Sequence, residues 1–200
     1  MKKEKPKKTE GDEKTEIASD IEEFSYELKI PKERVAVLIG TKGETKKQLE
    51  AATKTKLNID SKEGDVEITG EDALNLYSAR EIVRAISRGF NPDTAMLLLK
   101  GDYGFDILPI NDYAKTKNDE ERLKGRVIGE EGKARRIIEE LSECRISVYG
   151  KTISIIGQFE NLTLARRAIE LLLAGSSHAH VYMLLEKARK KLKMRTMESA

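Results

Sequence analysis

A single cysteine, two histidines and 5% aromatic residues narrow what this 200-residue chain can do before any motif is considered. One cysteine, Cys144, excludes an intramolecular disulfide framework and any cysteine-rich zinc site, and it fits a reducing compartment. The histidines sit in Ser176-Ser177-His178-Ala179-His180 with no evident third ligand, so they read as loop or helix-start residues and no metal or other cofactor is expected. With no histidine near it, Cys144 reads as a core thiol. No apolar run is longer than that of Ala95–Leu99, which falls far short of the roughly 20 residues of a membrane span. The N-terminus also lacks a signal-peptide core, so a cytoplasmic protein without membrane contact is expected. Glutamine is confined to Gln48 and Gln158, whereas 36% of residues are charged against roughly 25% on average. That balance leans toward a heat-adapted source.

Net charge is only +2, so a nucleic-acid partner would have to be met by local patches and not by a uniformly basic surface. Residues 1–20 hold six lysines and six carboxylates with almost no apolar content before Ile17; such a segment cannot repay its ordering entropy and is expected to be disordered. Residues 186–198 carry six Lys or Arg against two Glu, a net of +4, and are a candidate phosphate contact.

Two glycine motifs lie eighty-nine positions apart: Leu38-Ile39-Gly40-Thr41-Lys42-Gly43 and Val127-Ile128-Gly129-Glu130-Glu131-Gly132. The likeness continues, since Lys56-Leu57-Asn58-Ile59 answers Arg145-Ile146-Ser147-Val148 and Val66-Glu67-Ile68-Thr69-Gly70 answers Ile153-Ser154-Ile155-Ile156-Gly157. A repeat of this length divides the chain into two small units. In the first, alternation over Phe24–Ile30 predicts a strand closed by Pro31, and a short helix from Lys32 to Ile39 breaks at Gly40. A second helix is predicted from Glu44 to about Thr53. Leu57 and Ile59, then Val66 and Ile68, give a hairpin turning at Lys62-Glu63-Gly64-Asp65, and Glu71–Arg88 is a long helix. Asn91 as N-cap and Pro92 at the first position predict a linking helix to Leu99. The second unit repeats the order: a strand over Phe105–Ile110, a polar loop around Asn111–Asn118 and a helix ending at Ile128. The next helix buries Ala134, Ile137, Ile138 and Leu141; a hairpin turns at Tyr149-Gly150-Lys151-Thr152, and a closing helix runs from about Asn161 to Leu173, stopped by Gly175. Val181, Leu184, Leu185, Ala188 and Leu192 predict one more helix, basic and amphipathic, either packed on the second unit or touching nucleic acid.

Gly-x-x-Gly between two helices allows close approach, because residues without a β-carbon let the backbone turn sharply beside a sugar-phosphate chain. The helix that begins immediately afterwards aims unpaired N–H groups and a positive dipole end at the same spot. On these motifs both repeats resemble type I KH domains, whose loop clamps about four backbone nucleotides of a single strand. The resemblance covers residues 21–175 and implies an α+β fold: two tandem βααββα domains, each a three-stranded sheet packed on helices. The expected layout is a first KH domain over 21–90, a linker helix and second KH domain over 91–178, and a basic C-terminal helix over 179–200.

The resemblance also places bases in an apolar groove between the helix before the loop and the middle strand. Ala36 and Gly125 become its small floor residues and Leu38 and Val127 its wall, with Leu57, Asn58, Ile59 and Ile146, Ser147, Val148 on the strand side. With Ala36, Leu38, Asn58, Gly125 and Ser147, the expected RNA-binding set comprises Gly40, Thr41, Lys42, Gly43 and Lys46 in the first copy, and Arg126, Gly129, Glu130, Glu131, Gly132, Lys133 and Arg136 in the second. Glu130 and Glu131 depart from the pattern by placing carboxylates where phosphates should come, with Arg126, Lys133, Arg135 and Arg136 as the offsetting charge. Few aromatics and no Lys/Arg-Gly-Phe/Tyr signature argue against an RRM.

Three further strings narrow the resemblance: Arg88-Gly89-Phe90-Asn91-Pro92, Lys124-Gly125-Arg126-Val127-Ile128-Gly129 and Ser147-Val148-Tyr149-Gly150-Lys151-Thr152. With them the chain resembles archaeal members of the tandem-KH small-subunit rRNA processing family, the partner-of-Nob family. That implies single-stranded RNA near the 3' end of 16S rRNA, a Nob-type endonuclease or another assembly or translation factor as protein partner, and a monomeric adaptor that is not an enzyme. A messenger-RNA translation regulator and a docking scaffold without RNA contact are the alternatives. A nucleotide-hydrolysing P-loop is rejected: it would need Gly where Val127 stands and Ser or Thr where Ala134 stands.

Overall fold

The computed structural model describes residues 24–198, so the N-terminal segment expected to be disordered lies outside the described residues. The first unit runs β1 (Phe24–Lys29), α1 (Lys32–Ile39), α2 (Glu44–Thr53), β2 (Lys56–Ile59), β3 (Asp65–Gly70) and α3 (Ala73–Ser87). A short α4 (Pro92–Ala95) and a 3-10 turn over Met96–Leu99 follow. The second unit runs β4 (Tyr103–Pro109), α5 (Lys117–Ile128), α6 (Lys133–Ser142), β5 (Arg145–Tyr149), β6 (Thr152–Gln158) and α7 (Phe159–Leu173), and α8 (His178–Glu198) ends the described chain. Each unit has its own antiparallel three-stranded sheet, ordered β1-β3-β2 and β4-β6-β5, and the two sheets do not join. This is the βααββα arrangement expected of tandem type I KH domains, with the extra C-terminal helix.

Local chemistry accounts for the boundaries. The Asn91 side chain accepts from Thr94 N at 2.9 Å, capping α4 with Pro92 at its first position. Thr116 caps α5 by accepting from Asp119 N, so that helix begins inside the stretch expected to be a polar loop. The capping threonine was the signal for this earlier start. His178 opens α8, and its Nε2 lies 2.8 Å from the Arg126 carbonyl.

The repeats are equivalent down to single atoms. Thr53 and Ser142 end α2 and α6 by donating to the carbonyls one turn back, Leu49 and Ile138, and the residues after them, Lys54 and Glu143, are both left-handed. Leu38, Leu49, Val66, Ile68, Ile82 and Ile86 form the first core; Val127, Ile138, Ile146, Ile153, Ile155 and Ile169 form the second, joined by Val181 and Leu185 of α8. Cys144 lies in the second core, where burial pushes its thiol up to about 11.

Where the units meet, equivalence ends. β3 alternates between buried and open residues, as a sheet with one solvated face requires, but β6 is buried without a break from Thr152 to Gly157. The outer face of the second sheet is covered by the first unit: Ile156 belongs to the first core, and Phe105 meets Phe90 edge to face at 6.3 Å. Ser147 donates to the Arg88 carbonyl at 2.8 Å. Gly89 (φ +97°) passes so close that a β-carbon there would lie 2.6 Å from Ser147 Oγ. The Tyr149 hydroxyl donates to Glu33, and burial together with that carboxylate raises the phenol's pKa. Arg34 stands over the Tyr149 ring and donates to the carbonyls of Ile86 and Phe90, fixing α1 to the end of α3. Residues 91–99, which run between the units, pack with the first core through Ala95, Leu97 and Leu98.

Candidate nucleic-acid interface

Both glycine loops adopt one backbone. Gly40 and Gly129 share φ 72° with ψ 177° and 174°; the third loop residue, Lys42 or Glu131, is left-handed at φ 54° or 49°; and Gly43 and Gly132 follow at 77° and 76°. The loops close on equivalent bonds, Gly43 N to Gly40 O and Gly132 N to Gly129 O, each 3.2 Å. The two glycines of each loop are needed for different reasons. A β-carbon on Gly40 would lie 2.2 Å from Thr45 Oγ1, and one on Gly129 would lie 2.5 Å from the Ala134 β-carbon, so this glycine lets the helices meet. Nothing lies within 4 Å of the corresponding position on Gly43, which leaves the outer side of the turn free beside the first N–H groups of α2.

A second pair of equivalent bonds sets the distance from helix to strand. Glu50 of α2 accepts from Leu57 N and Glu139 of α6 accepts from Ile146 N, both at 2.8 Å. β2 and β5 are edge strands, so these carboxylates satisfy backbone donors that no neighbouring strand can reach. The sequence reading missed both clasps, although the 89-residue offset links Glu50 to Glu139 as it links the glycines.

Thr41 and Lys42 are exposed in the first loop, as are Glu130, Glu131 and Lys133 in or beside the second. Ala36 and Gly125 are exposed on α1 and α5. Leu38 and Val127 are corrections: both are 0% exposed, so they are core residues beneath the groove and cannot form its wall. The apolar surface left to a ligand is that of half-buried Ile39 and Ile128, one turn from the floor residues, with Ile59 and Val148 on the edge strands. Asn58 and Ser147 are also corrected. Alternation turns them to the sheet face opposite the helices, where Asn58 is exposed beside Glu67 and Ser147 is sealed in the junction between units.

Two arginines have backbone duties. Arg126 donates to the carbonyls of Leu172 (3.1 Å) and Ser176 (2.6 Å), capping the end of α7, so its charge is spent away from the loop. Arg136 donates to the Glu131 carbonyl and braces the loop while its side chain stays exposed. Lys46 faces the groove with its ammonium 3.8 Å from Glu50. Its counterpart, Arg135, entered the sequence reading only as charge near the loop; the repeat offset places it on the same groove-side face. Among the described residues no helix is long and apolar enough to cross a membrane.

Comparison with known proteins agrees with this geometry. Residues 104–190 match the eukaryotic-type KH domain (KH-domain type I) profile and residues 25–85 the KH domain profile. The chain is 49% identical over 175 residues to a KH domain-containing protein of Methanocaldococcus jannaschii, covering 86% of this chain and 77% of that one. A solved complex of a/eIF2alpha, aDim2p and rRNA from Pyrococcus horikoshii contains a chain similar to this one, with a TM-score of 0.81 and 45% identity, covering 86% of this chain and 97% of that one. The pre-rRNA-processing protein pno1 of Aspergillus fumigatus is 33% identical over 127 residues, 62% of this chain and 50% of that protein.

Proposed function

Because this chain belongs to the partner-of-Nob (Dim2p) family of tandem-KH proteins and so is an RNA-binding protein of rRNA processing, we propose that it holds single-stranded RNA near the 3' end of the small-subunit rRNA for separate processing factors. The observation that carries this reading is the duplicated loop. Two helix-capped turns of one backbone, each beside a groove of fixed width, suit an unpaired strand that lays its phosphates on N–H groups and its bases against apolar walls. The chain's own part is to bind and position; cutting the RNA falls to a partner such as a Nob-type endonuclease. It does this as a monomer in the cytoplasm, its two grooves held in one orientation by the junction around Ser147, Gly89 and Tyr149.

Crosslinking the full chain to RNA in native extract and sequencing the bound fragments tests the proposal. Enrichment of precursor and mature small-subunit 3' ends is expected. A recovered set made of messenger RNA and lacking rRNA would favour translational regulation and overturn the processing role.

A further inference from the structure

The two groove-facing cations differ in a way that the shared backbone does not explain. Lys46 and Arg135 stand eighty-nine positions apart, each one turn before the glutamate that clasps the edge strand, Glu50 or Glu139. Side chains at i and i+4 share a helix face, so both cations point toward the space between loop and strand. Lys46 has a carboxylate partner there in Glu50. Glu139 accepts from Ile146 N just as Glu50 accepts from Leu57 N, but it forms no ion pair with Arg135, whose side chain has no hydrogen bond or ion pair among the described residues. Its Nε is withdrawn from water with no acceptor, an unfavourable state that a ligand atom would relieve. The guanidinium presents its donors in a rigid plane, suited to two neighbouring acceptors.

We propose that Arg135 is a specificity-determining residue of the second groove, donating to the edge of a base that offers two adjacent acceptors. Guanine through O6 and N7 and cytosine through O2 and N3 share this chemistry, and an unpaired strand exposes both edges. The inference rests on the RNA-binding reading above and deepens it: the first groove meets the strand mainly as charge, while the second reads its sequence. The carboxylates of Glu130 and Glu131 fit this division. They make the second loop the weaker phosphate cradle and leave the arginine behind it to select by base.

The test measures affinities of the full chain for a pool of short single-stranded RNAs randomised one position at a time, at two salt concentrations. Wild type is compared with Arg135→Lys and Arg135→Gln. Wild type is expected to prefer guanine or cytosine at one position by about tenfold. Both variants should lose most of that preference while retaining affinity for the unselective members of the pool and the dependence on salt. If guanine is preferred, 7-deazaguanine should weaken wild type and leave Arg135→Gln unaffected; if cytosine is preferred, it should have no effect at that position. A uniform loss across all sequences with a shallower salt slope would make Arg135 a phosphate contact and overturn the proposal. An unchanged base preference would overturn it equally. No salt-dependent binding of any RNA by wild type would instead sink the underlying RNA reading, so the two failures are distinguishable. Circular dichroism of Arg135→Lys, which preserves charge and helix propensity, checks that the fold is intact.

Discussion

From Thr41 to Lys56 the first repeat carries five lysines against two glutamates, whereas the equivalent stretch of the second, 130–145, carries four cations against five carboxylates. The backbone beneath is the same in both, to within a few degrees at each loop residue. The outer sheet faces differ in the opposite sense: the first is open beside Glu27, Asn58 and Glu67, and the second is covered by its neighbour. Duplication has thus kept the cradle and divided the work. One copy carries the excess of positive charge around its loop, and the other gives up a sheet face to fix the pair in a single orientation.

The largest effect should come from the core residues that sequence placed in the groove. Leu38→Ala should lower unfolding stability by about 3 kcal/mol, and Val127→Ala somewhat less, in denaturant titrations of the full chain. Near-neutral stability with weakened RNA binding at either site would return these side chains to the groove. Next comes Cys144, whose equivalent in the first repeat, Thr55, does not titrate. With its thiol raised to about 11 from an ordinary 9.0, the folded state keeps the proton to higher pH than the unfolded chain does. Its contribution is therefore complete below about pH 9 and is lost as pH rises toward 11, roughly 2–3 kcal/mol in all. Stability measured against pH should fall more steeply in wild type than in Cys144→Ala, and parallel curves would refute the assignment.

Charge reversal tests the division of labour itself. Replacing Thr41 and Lys42 by Asp should weaken binding of a single-stranded rRNA fragment by roughly 10- to 30-fold, about 1.4–2 kcal/mol. Replacing Lys133 and Arg136 by Glu should cost less than about tenfold, since that loop is acidic already. The reverse order would place the main phosphate contact in the second copy. The smallest effect separates the two sheet faces. Ser147→Ala removes a junction hydrogen bond and should cost about 1 kcal/mol, while Asn58→Ala on the open face should stay within about 0.5 kcal/mol; thermal melts of the two variants check the difference.

Much of this was legible in the chain. Turn glycines, the Asn91-Pro92 cap and the alternation of strands placed nearly every element, because each depends on local chemistry. Three things were not legible. Leu38 and Val127 follow a groove pattern by resemblance, but their burial is decided by helical phase against the core. Arg126 sits beside the loop in sequence, yet its partners Leu172 and Ser176 are brought to it only by the packing of α7 on α5. Ser147 occupies the repeat position of Asn58, and only the docking of Gly89 separates their fates. One signal for that docking was present, since Ile155 and Ile156 are adjacent apolar residues in a strand whose counterpart alternates, and a strand with both faces apolar is covered on both.

The account stands on both loops acting as cradles for an unpaired strand. Its most direct test is the affinity of the full chain for a single-stranded small-subunit 3' fragment across a salt series, in wild type and in a chain with both loops charge-reversed at Thr41, Lys42, Lys133 and Arg136. Wild-type affinity should fall steeply with salt, and the reversed chain should bind roughly 30- to 200-fold more weakly with a clearly shallower slope. Equal affinity and equal slope in the two chains would contradict it.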